Sequence, residues 1–334
     1  MKPTDPKEPP GDPPEPPLTA VLQALRQTSN PLSGEVLALR LGLSRAAVWK
    51  RIHRLKALGY AIEGSPRRGY LLVAATEKLL PEEIALGLKA RRFTGPVHYF
   101  EQVASTNDLA KELAARGAPE GTLVVAEAQS QGRGRLGRQW DSPPGAGLYV
   151  SLVLRPVLPP TEMPQITLTT AVAVARAVKR VTGVAPGIKW PNDLLLAGKK
   201  LGGILTEMET ETDQIRHLVV GLGLNVNNPA FPAELADIAT SLALATGRRH
   251  SRVQLLQAWL EEFEELYGRF LAREFAGILD EWRSFAVTLG LPVTVRQGPR
   301  VIHGKALEVA PDGALLVETD SGEVVRVTSG EIAS

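Results

Sequence analysis

The sequence contains no cysteine. Disulfides, thiolate catalysis and cysteine-based zinc sites are therefore all excluded. No hydrophobic run reaches transmembrane length, and residues 1–17 have no apolar core of the kind a signal peptide needs. The five histidines are scattered, and no Ser-His-Asp constellation stands at a readable spacing. We expect a cytoplasmic protein with no membrane partner, whose chemistry is electrostatic.

Proline and charge are distributed unevenly along the 334 residues. Eight prolines fall within residues 1–17, which predicts a disordered tail. Residues 18–73 carry nine Lys and Arg side chains against two acidic ones, a net charge of +7 in a chain whose total is +2. This concentration indicates a dedicated nucleic-acid module. We predict a tail (1–17), a basic module (18–75), a central domain (76–286) and a C-terminal domain (287–334).

The basic module has the pattern of a winged helix-turn-helix. Helices are predicted over residues 18–27, from Ser33 to a break at Gly42, and from an N-cap at Ser44 to about Leu58. Two short strands follow, joined by a basic turn. Arg45, Trp49, Lys50 and His53 would then face DNA, with Arg67 and Arg68 on phosphates. The alternatives are a three-helix protein-interaction domain, and a Trp49 that only packs against the second helix. A dimer reading two half-sites is expected.

The central domain mixes strands and helices without a regular βαβ rhythm. Residues 97–103 read as a strand, followed by a helix whose N-cap is Ser105 or Thr106. The unpaired N–H groups at that helix start, with two hydroxyls and the amide of Asn107, form a polar receptor for a small ligand, although a plain helix cap explains them equally. The acidic pairs 261–262 and 264–265 lie on a predicted helix and are expected to form a solvated face.

The loop at residues 132–140 interleaves arginines with glycines and ends at Trp140. Its spelling matches a dinucleotide-binding fingerprint, but Pro143 and Pro144 prevent the helix that such a fingerprint must open. Guanidinium and backbone N–H groups indicate a phosphate, with the indole beside it for a base. A functionless surface loop and a nucleic-acid patch are the alternatives. Lys189, placed at a strand end by Pro191, is expected to join Arg133 and Arg135 around charged oxygens.

The C-terminal 45 residues or so form short alternating strands separated by turns, the pattern of a small SH3-like β-barrel. The whole chain is thus expected to be an α+β protein. It has a winged helix-turn-helix, a central mixed sheet with helices, and this barrel.

Five motifs in order resemble the bifunctional biotin–protein ligase and biotin operon repressor family over residues 18–332. They begin at Ser105, Gly132, Lys189, Lys200 and Gly221. The resemblance implies a class II synthetase-like catalytic domain with biotin–[acetyl-CoA-carboxylase] ligase activity. Biotin and MgATP would give biotinyl-5′-AMP, and a lysine of a biotin carboxyl carrier protein would then take the biotin. The resemblance also implies a homodimer, promoted by the adenylate, that binds operator DNA. No residue is assigned as a metal ligand.

The resemblance also implies residue roles. Lys189, Arg133 and Arg135 would be catalytic, bridging the carboxylate and phosphate and shielding the anhydride. Biotin would contact these three residues together with Ser105, Thr106, Asn107, Gln129, Gly134, Gly202 and Gly203. ATP would contact Arg133, Arg135, Arg138, Trp140, Asn192 and Asn225. Asn192 and Asp193 either act on magnesium or shape their turn, and the loop is expected to be a mobile lid.

Three other functions fit parts of the pattern. A lipoate–protein ligase shares the fold and the acyl-adenylate logic. A transcription factor could use the central domain only to sense a ligand. An active ligase could also have lost DNA binding.

Overall fold

The computed structural model describes residues 18–65, 68–93, 95–211 and 214–333. The chain divides into two compact units between Thr76 and Glu77. The predicted tail, and the predicted phosphate contact Arg67, lie outside the described residues. Within the described ranges, no helix combines the length and apolar character needed to span a bilayer.

The described residues of the first unit form three helices and a two-stranded hairpin: α1 (Leu18–Arg26), α2 (Gly34–Leu41), α3 (Arg45–Ala57), β1 (Ala61–Ser65) and β2 (Gly69–Ala74). Ser33 and Ser44 cap the second and third helices, each accepting a backbone N–H bond of 3.1 Å. Gly42 closes α2 in the left-handed conformation, with φ of 65°. The helix-turn-helix and wing predicted from the sequence are confirmed.

The second unit contains a seven-stranded mixed sheet in the order β3-β4-β5-β9-β8-β7-β6. Only β3 and β4 pair in parallel, across the helix that joins them. The remaining neighbours are antiparallel, as expected for a sheet without βαβ rhythm. The strands are β3 (Val97–Val103), β4 (Leu123–Gln129), β5 (Gly147–Leu154), β6 (Gly187–Lys189), β7 (Asp193–Leu196), β8 (Lys199–Glu211) and β9 (Gln214–Asn225).

The α-helices described beside this sheet are α4 (Pro81–Ala85), α5 (Thr106–Ala115), α6 (Met163–Thr182), α7 (Leu242–Thr246), α8 (Arg252–Leu271) and α9 (Phe275–Phe285). The long helix α6 carries Pro164 in its first turn, where a proline needs no hydrogen-bond donor. Gly183 ends it in the left-handed conformation, with φ of 82°. Its buried face joins the main hydrophobic core with residues of the sheet and of α8 and α9.

The acidic pairs on α8 form the solvated face expected from the sequence only in part: the Glu265 side chain is 57% exposed, but its neighbours are largely covered. Glu262 is ion-paired with Arg180 at 2.8 Å, and its side chain is 14% exposed. Glu264 accepts the backbone N–H of Arg91 at 2.9 Å. For Glu262 and Glu264 the expectation was wrong, because these carboxylates face α6 and the segment after α4 rather than water.

The C-terminal strands form an SH3-like antiparallel sheet in the order β13-β12-β11-β10-β14. Its members are β10 (Pro292–Gln297), β11 (Arg300–Val309), β12 (Leu315–Thr319), β13 (Val324–Val327) and β14 (Glu331–Ile332). The last strand is only two residues long and has no alternating pattern to predict it. Buried residues of this sheet belong to the same core as the mixed sheet, which fixes β14 beside the loop at residues 132–140.

Candidate active site and nucleic-acid interface

A cavity of about 470 Å³ opens on one face of the mixed sheet, a volume suited to a small organic ligand. The loop at residues 132–140, hereafter the arginine loop, forms one wall, and β14 contributes to the rim. Most residues predicted for the site line it together: Ser105, Thr106, Asn107, Gln129, Arg133, Gly134, Arg135, Arg138, Trp140, Lys189, Asn192, Gly203 and Asn225.

One end of the cavity is lined by uncharged polar groups. Ser105 caps α5, and the N–H of Thr106 donates to Gln129 Oε1 at 2.9 Å. Gln129 Nε2 in turn donates to Ser142 Oγ at 3.0 Å, which fixes the direction of its amide. The helix start and the end of β4 thereby present hydroxyl and amide groups in a set orientation.

The other end of the cavity is cationic. Lys189 ends β6 and is half-buried, and this burial lowers the pKa of its ammonium, partly offset by the nearby charge of Asp193. Burial also lowers the pKa of Arg135. The Arg135 guanidinium donates to Asn192 Oδ1 at 3.1 Å and to the carbonyl of Gly330 at 3.2 Å. Incompletely hydrated cations held in place attract an anion more strongly than cations in water.

The arginine loop is held at both of its ends by acidic side chains. Arg133 pairs with Asp108 at 2.5 Å and with Glu207 at 3.0 Å. Burial acts to raise the pKa of Glu207, but hydrogen bonds from Lys111 and Asn107 and the charges of Lys111 and Arg133 lower it overall. Arg138 pairs with Glu331 of β14 through both carboxylate oxygens.

Trp140 lies flat against the sheet, where glycines leave room for its indole. A Cβ on Gly223 would lie 2.6 Å from the indole Cε2 and Nε1, and one on Gly203 would lie 3.6 Å from Cζ3. Lys200 lies 5.7 Å from the ring centroid and pairs with Asp193 at 2.7 Å. The indole is thereby fixed as a flat aromatic wall of the cavity.

The two asparagines predicted for ATP are both tied to backbone carbonyls. Asn192 donates to the carbonyl of Ile204 at 2.8 Å, so it holds the turn after Lys189 against β8. Asn225 donates to the carbonyl of Thr240 at 3.1 Å. Gly202 is not on the cavity wall: a Cβ there would meet Leu194 and Leu224 on the opposite face, since neighbouring strand residues alternate.

Sequence reasoning missed an apolar part of the wall. Phe231, Leu235, Ile238 and Ala239 line the cavity from a stretch between β9 and α7 that has no regular strand or long helix. It also missed Asp108, Glu207 and Glu331 as partners of the loop arginines. No local pattern marks these residues, because each acts through a neighbour distant in sequence.

In the first unit, α3 presents its polar side chains to solvent. Arg45, Lys50 and His53 are exposed, and Trp49 is 50% exposed with its ring centroid 4.0 Å from that of His53. Val48, Ile52 and Leu55 form the buried stripe on the other side. Arg68 is exposed beside β2. If Trp49 served only to pack against the second helix, its indole would be buried. Its half-exposed ring instead leaves one face open to a binding partner.

Three family models match the chain. The biotin/lipoate A/B protein ligase family covers residues 99–225, an HTH domain covers residues 18–71, and the biotin protein ligase C-terminal domain covers residues 288–333. The bifunctional ligase/repressor BirA of Bacillus spizizenii is 42% identical over 303 residues, covering 90% of this chain and 93% of that relative. The bifunctional ligase/repressor BirA of Escherichia coli is 30% identical over 301 residues, covering 90% of this chain and 92% of that relative.

The chain belongs to the family of bifunctional biotin–protein ligases and repressors. Among solved structures it resembles the Aquifex aeolicus biotin protein ligase in complex with biotin and ATP. That comparison has a TM-score of 0.62 and 32% identity, and covers 71% of this chain and 97% of the other. Family membership confirms the resemblance that the five motifs indicated. The three family models also confirm the predicted order along the chain of winged helix, mixed sheet and SH3-like sheet.

Proposed function

We propose that this protein is an ATP-dependent biotin–protein ligase that activates biotin as biotinyl-5′-AMP and transfers it to a lysine of a biotin carboxyl carrier protein. One observation carries the proposal: a single cavity holds an uncharged polar end at Thr106 and Gln129 and a cationic end at Lys189 and Arg135. The uncharged end suits the ureido ring of biotin. The cationic end suits its carboxylate and the α-phosphate of ATP.

In the first half-reaction an oxygen of the biotin carboxylate attacks the α-phosphorus, and the bond to pyrophosphate breaks. The obstacle is repulsion between two anions, which increases as charge accumulates on phosphorus. Lys189 would lower it by bridging carboxylate and phosphate, with Arg133 and Arg135 on the phosphate oxygens. Magnesium arrives with ATP as part of the substrate. We place adenine between Trp140 and the apolar wall at Phe231 and Ile238, and assign Arg138, Asn192 and Asn225 to the nucleotide.

In the second half-reaction the neutral amine of the carrier lysine attacks the acyl carbon. The acyl–oxygen bond breaks, AMP leaves, and the amine loses a proton to give the amide. The mixed anhydride must survive until the carrier arrives, so water has to be kept away. The arginine loop, closed over the cavity, would provide that shield. Because the reaction consumes ATP, we place it in the cytoplasm.

The decisive experiment incubates the protein with biotin, ATP and magnesium and detects biotinyl-AMP by mass. Pyrophosphate exchange with biotin and with lipoate, measured in parallel, separates the two activities. We expect the wild-type protein to catalyse exchange with biotin and not with lipoate. Lys189→Ala should catalyse neither, although its circular dichroism spectrum should match that of the wild type. Exchange with lipoate only, or full activity in Lys189→Ala, would overturn the proposal.

We further propose that the winged helix makes the protein a biotinyl-AMP-dependent repressor. The exposed face of Arg45, Trp49 and Lys50 on α3 supports DNA binding, with Arg67 and Arg68 proposed for phosphates. A ligand-promoted homodimer would read two half-sites. A gel shift tests this with DNA from upstream of the biotin genes in the same genome, in the presence and in the absence of biotin and ATP. Equal affinity in both conditions would exclude the coupling.

A further inference from the structure

Four charged side chains meet at the start of the arginine loop, hereafter the charged cluster: Asp108 and Lys111 of α5, Glu207 of β8 and Arg133 of the loop. Of the four, only Arg133 lines the cavity. Its Nη2 lies 2.5 Å from Asp108 Oδ1 and 3.0 Å from Glu207 Oε2. Lys111 Nζ lies 3.1 Å from the same Asp108 oxygen and 2.8 Å from Glu207 Oε1. Two cations therefore share two carboxylates.

This sharing weakens the hold on Arg133. Both cationic nitrogens contact one oxygen, Asp108 Oδ1, so the ammonium of Lys111 and the guanidinium of Arg133 are close neighbours and repel each other. The charge of Lys111 also cancels part of the negative charge that attracts Arg133. The four side chains are between 24% and 50% exposed, so water screens these effects and keeps them modest.

Lys111 also provides for the carboxylates when Arg133 leaves. Glu207 would still accept from Lys111 and from Asn107 Nδ2 at 2.9 Å, and Asp108 would still pair with Lys111. A partly buried carboxylate that loses every partner is unfavourable, and Lys111 prevents that loss. Arg133 can therefore leave the charged cluster at a small cost in free energy.

We propose that Lys111 is a positioning residue that keeps Arg133 available to the phosphate. In the ligand-free protein the guanidinium rests in the charged cluster. When nucleotide binds, the guanidinium turns to the phosphate, and Lys111 stays with both carboxylates. The inference rests on the proposed ligase function, which gives Arg133 its phosphate, and adds to it a residue that touches no substrate.

The first test is trypsin digestion of the ligand-free, full-length protein. Trypsin takes the arginine side chain into its specificity pocket, so cleavage after Arg133 requires release from the charged cluster. Cleavage after Arg138 requires release from Glu331 instead and serves as an internal reference. Mass spectrometry gives both initial rates in one digest. In Lys111→Met the rate after Arg133 relative to that after Arg138 should fall about two- to fivefold, the range for partly exposed charges.

The direction of this change separates positioning from a merely structural role. Loss of a residue that only stabilises α5 would loosen the segment and speed the cleavage after Arg133. Lys111→Arg keeps the positive charge and should keep the wild-type ratio. Arg116→Met also removes one positive charge at the end of α5, but Arg116 pairs with Glu112 outside the charged cluster, so the ratio should not change.

The second test is pyrophosphate exchange by the same variants. Lys111→Met stabilises only the state in which Arg133 is withheld from the nucleotide. The KM for ATP should therefore rise about two- to fivefold while kcat is unchanged. Arg116→Met should keep both constants.

The two tests fail in distinguishable ways. Unchanged or faster relative cleavage after Arg133 in Lys111→Met would overturn the role of Lys111. A lowered ratio with an unchanged KM would also overturn it, since Arg133 would then serve the nucleotide without leaving the charged cluster. A wild-type protein that catalyses no exchange would overturn the proposed function.

Discussion

The indole of Trp140 rests on the backbone of Gly223, where a Cβ would lie only 2.6 Å from two of its ring atoms. This contact joins the last residue of the arginine loop to the C-terminal part of β9. Any side chain at position 223 must therefore displace the ring. The position of the aromatic wall is set by a residue that offers no functional group of its own.

Gly223→Ala is expected to raise the KM for ATP by about tenfold or more, since a contact loss of about 1.4 kcal/mol corresponds to that factor. Biotin affinity should change less, because the Gln129 amide is held by Thr106 and Ser142 and makes no hydrogen bond to the indole. Steady-state pyrophosphate exchange measures the first quantity and titration the second. Gly268→Ala is the matched control, because a Cβ on this exposed residue of α8 meets nothing within 4 Å. An unchanged KM for ATP in Gly223→Ala would show that Trp140 does not serve the nucleotide.

The rate of adenylate formation should fall as the pH is raised, and this fall should begin at a lower pH than the pKa of an ordinary lysine would give. Burial lowers the pKa of Lys189 from its usual 10.5, and the ammonium must be charged to bridge two anions. Activity is therefore lost as pH rises through the lowered value. In Lys189→Arg the overall rate should drop, but the guanidinium stays charged and the alkaline decline should disappear. An identical alkaline limb in both proteins would assign the titration to another group.

The same shift has a defined effect on stability. The native state binds the Lys189 proton more weakly than the unfolded chain does. The group therefore lowers the free energy of unfolding below its native pKa, and this cost disappears as pH rises to the unfolded value.

Glu207→Gln should loosen the arginine loop in the ligand-free protein. The variant removes the charge that pairs with Arg133 at 3.0 Å, while its amide oxygen can still accept from Asn107. Trypsin cleavage after the loop arginines should accelerate about two- to fivefold, the range expected for a partly exposed pair. Biotin with ATP should protect the loop in both proteins. Glu209→Gln, two residues along β8 and paired with Arg216, is the control. If trypsin cleaved the arginine loop at the same rate with and without ligands, the proposal that this loop is a mobile lid would be contradicted.

Arg252→Met should destabilise the second unit by about 3–5 kcal/mol, because it leaves the Glu127 carboxylate buried without its cation. The two side chains are 4% and 5% exposed and lie 2.8 Å apart. Urea unfolding followed by near-ultraviolet circular dichroism measures the loss. Arg249→Met removes an exposed partner of Glu77 and should change the free energy of unfolding by less than about 0.5 kcal/mol. If Arg252→Met changed the free energy of unfolding as little as Arg249→Met does, water would have to reach the Glu127 carboxylate.

Local patterns predicted much of this molecule. The caps at Ser33, Ser44 and Ser105 specify helix starts, and the prolines after the arginine loop exclude a dinucleotide-binding helix. Thr106 stands at the start of a predicted helix and Lys189 at the end of a predicted strand, and both meet the loop residue Arg133 in one cavity.

The remainder depends on contacts between distant segments, which no local pattern records. Glu207 and Glu331 resemble ordinary strand carboxylates until the fold brings Arg133 and Arg138 to them. Glu264 resembles a solvated helix residue until Arg91 reaches it. Gly202 and Gly203 are equivalent in the sequence, and only the strand register decides which faces the cavity.

The contacts between the arginine loop and β14 also bear on the order of synthesis. Arg135 bonds to the carbonyl of Gly330, 195 residues later in the chain, and Arg138 pairs with Glu331. A ribosome releases the loop long before it makes these partners. On a nascent chain the mixed sheet can assemble while the loop still lacks its C-terminal anchor. The enzyme therefore completes its active site only after the final strand has been translated.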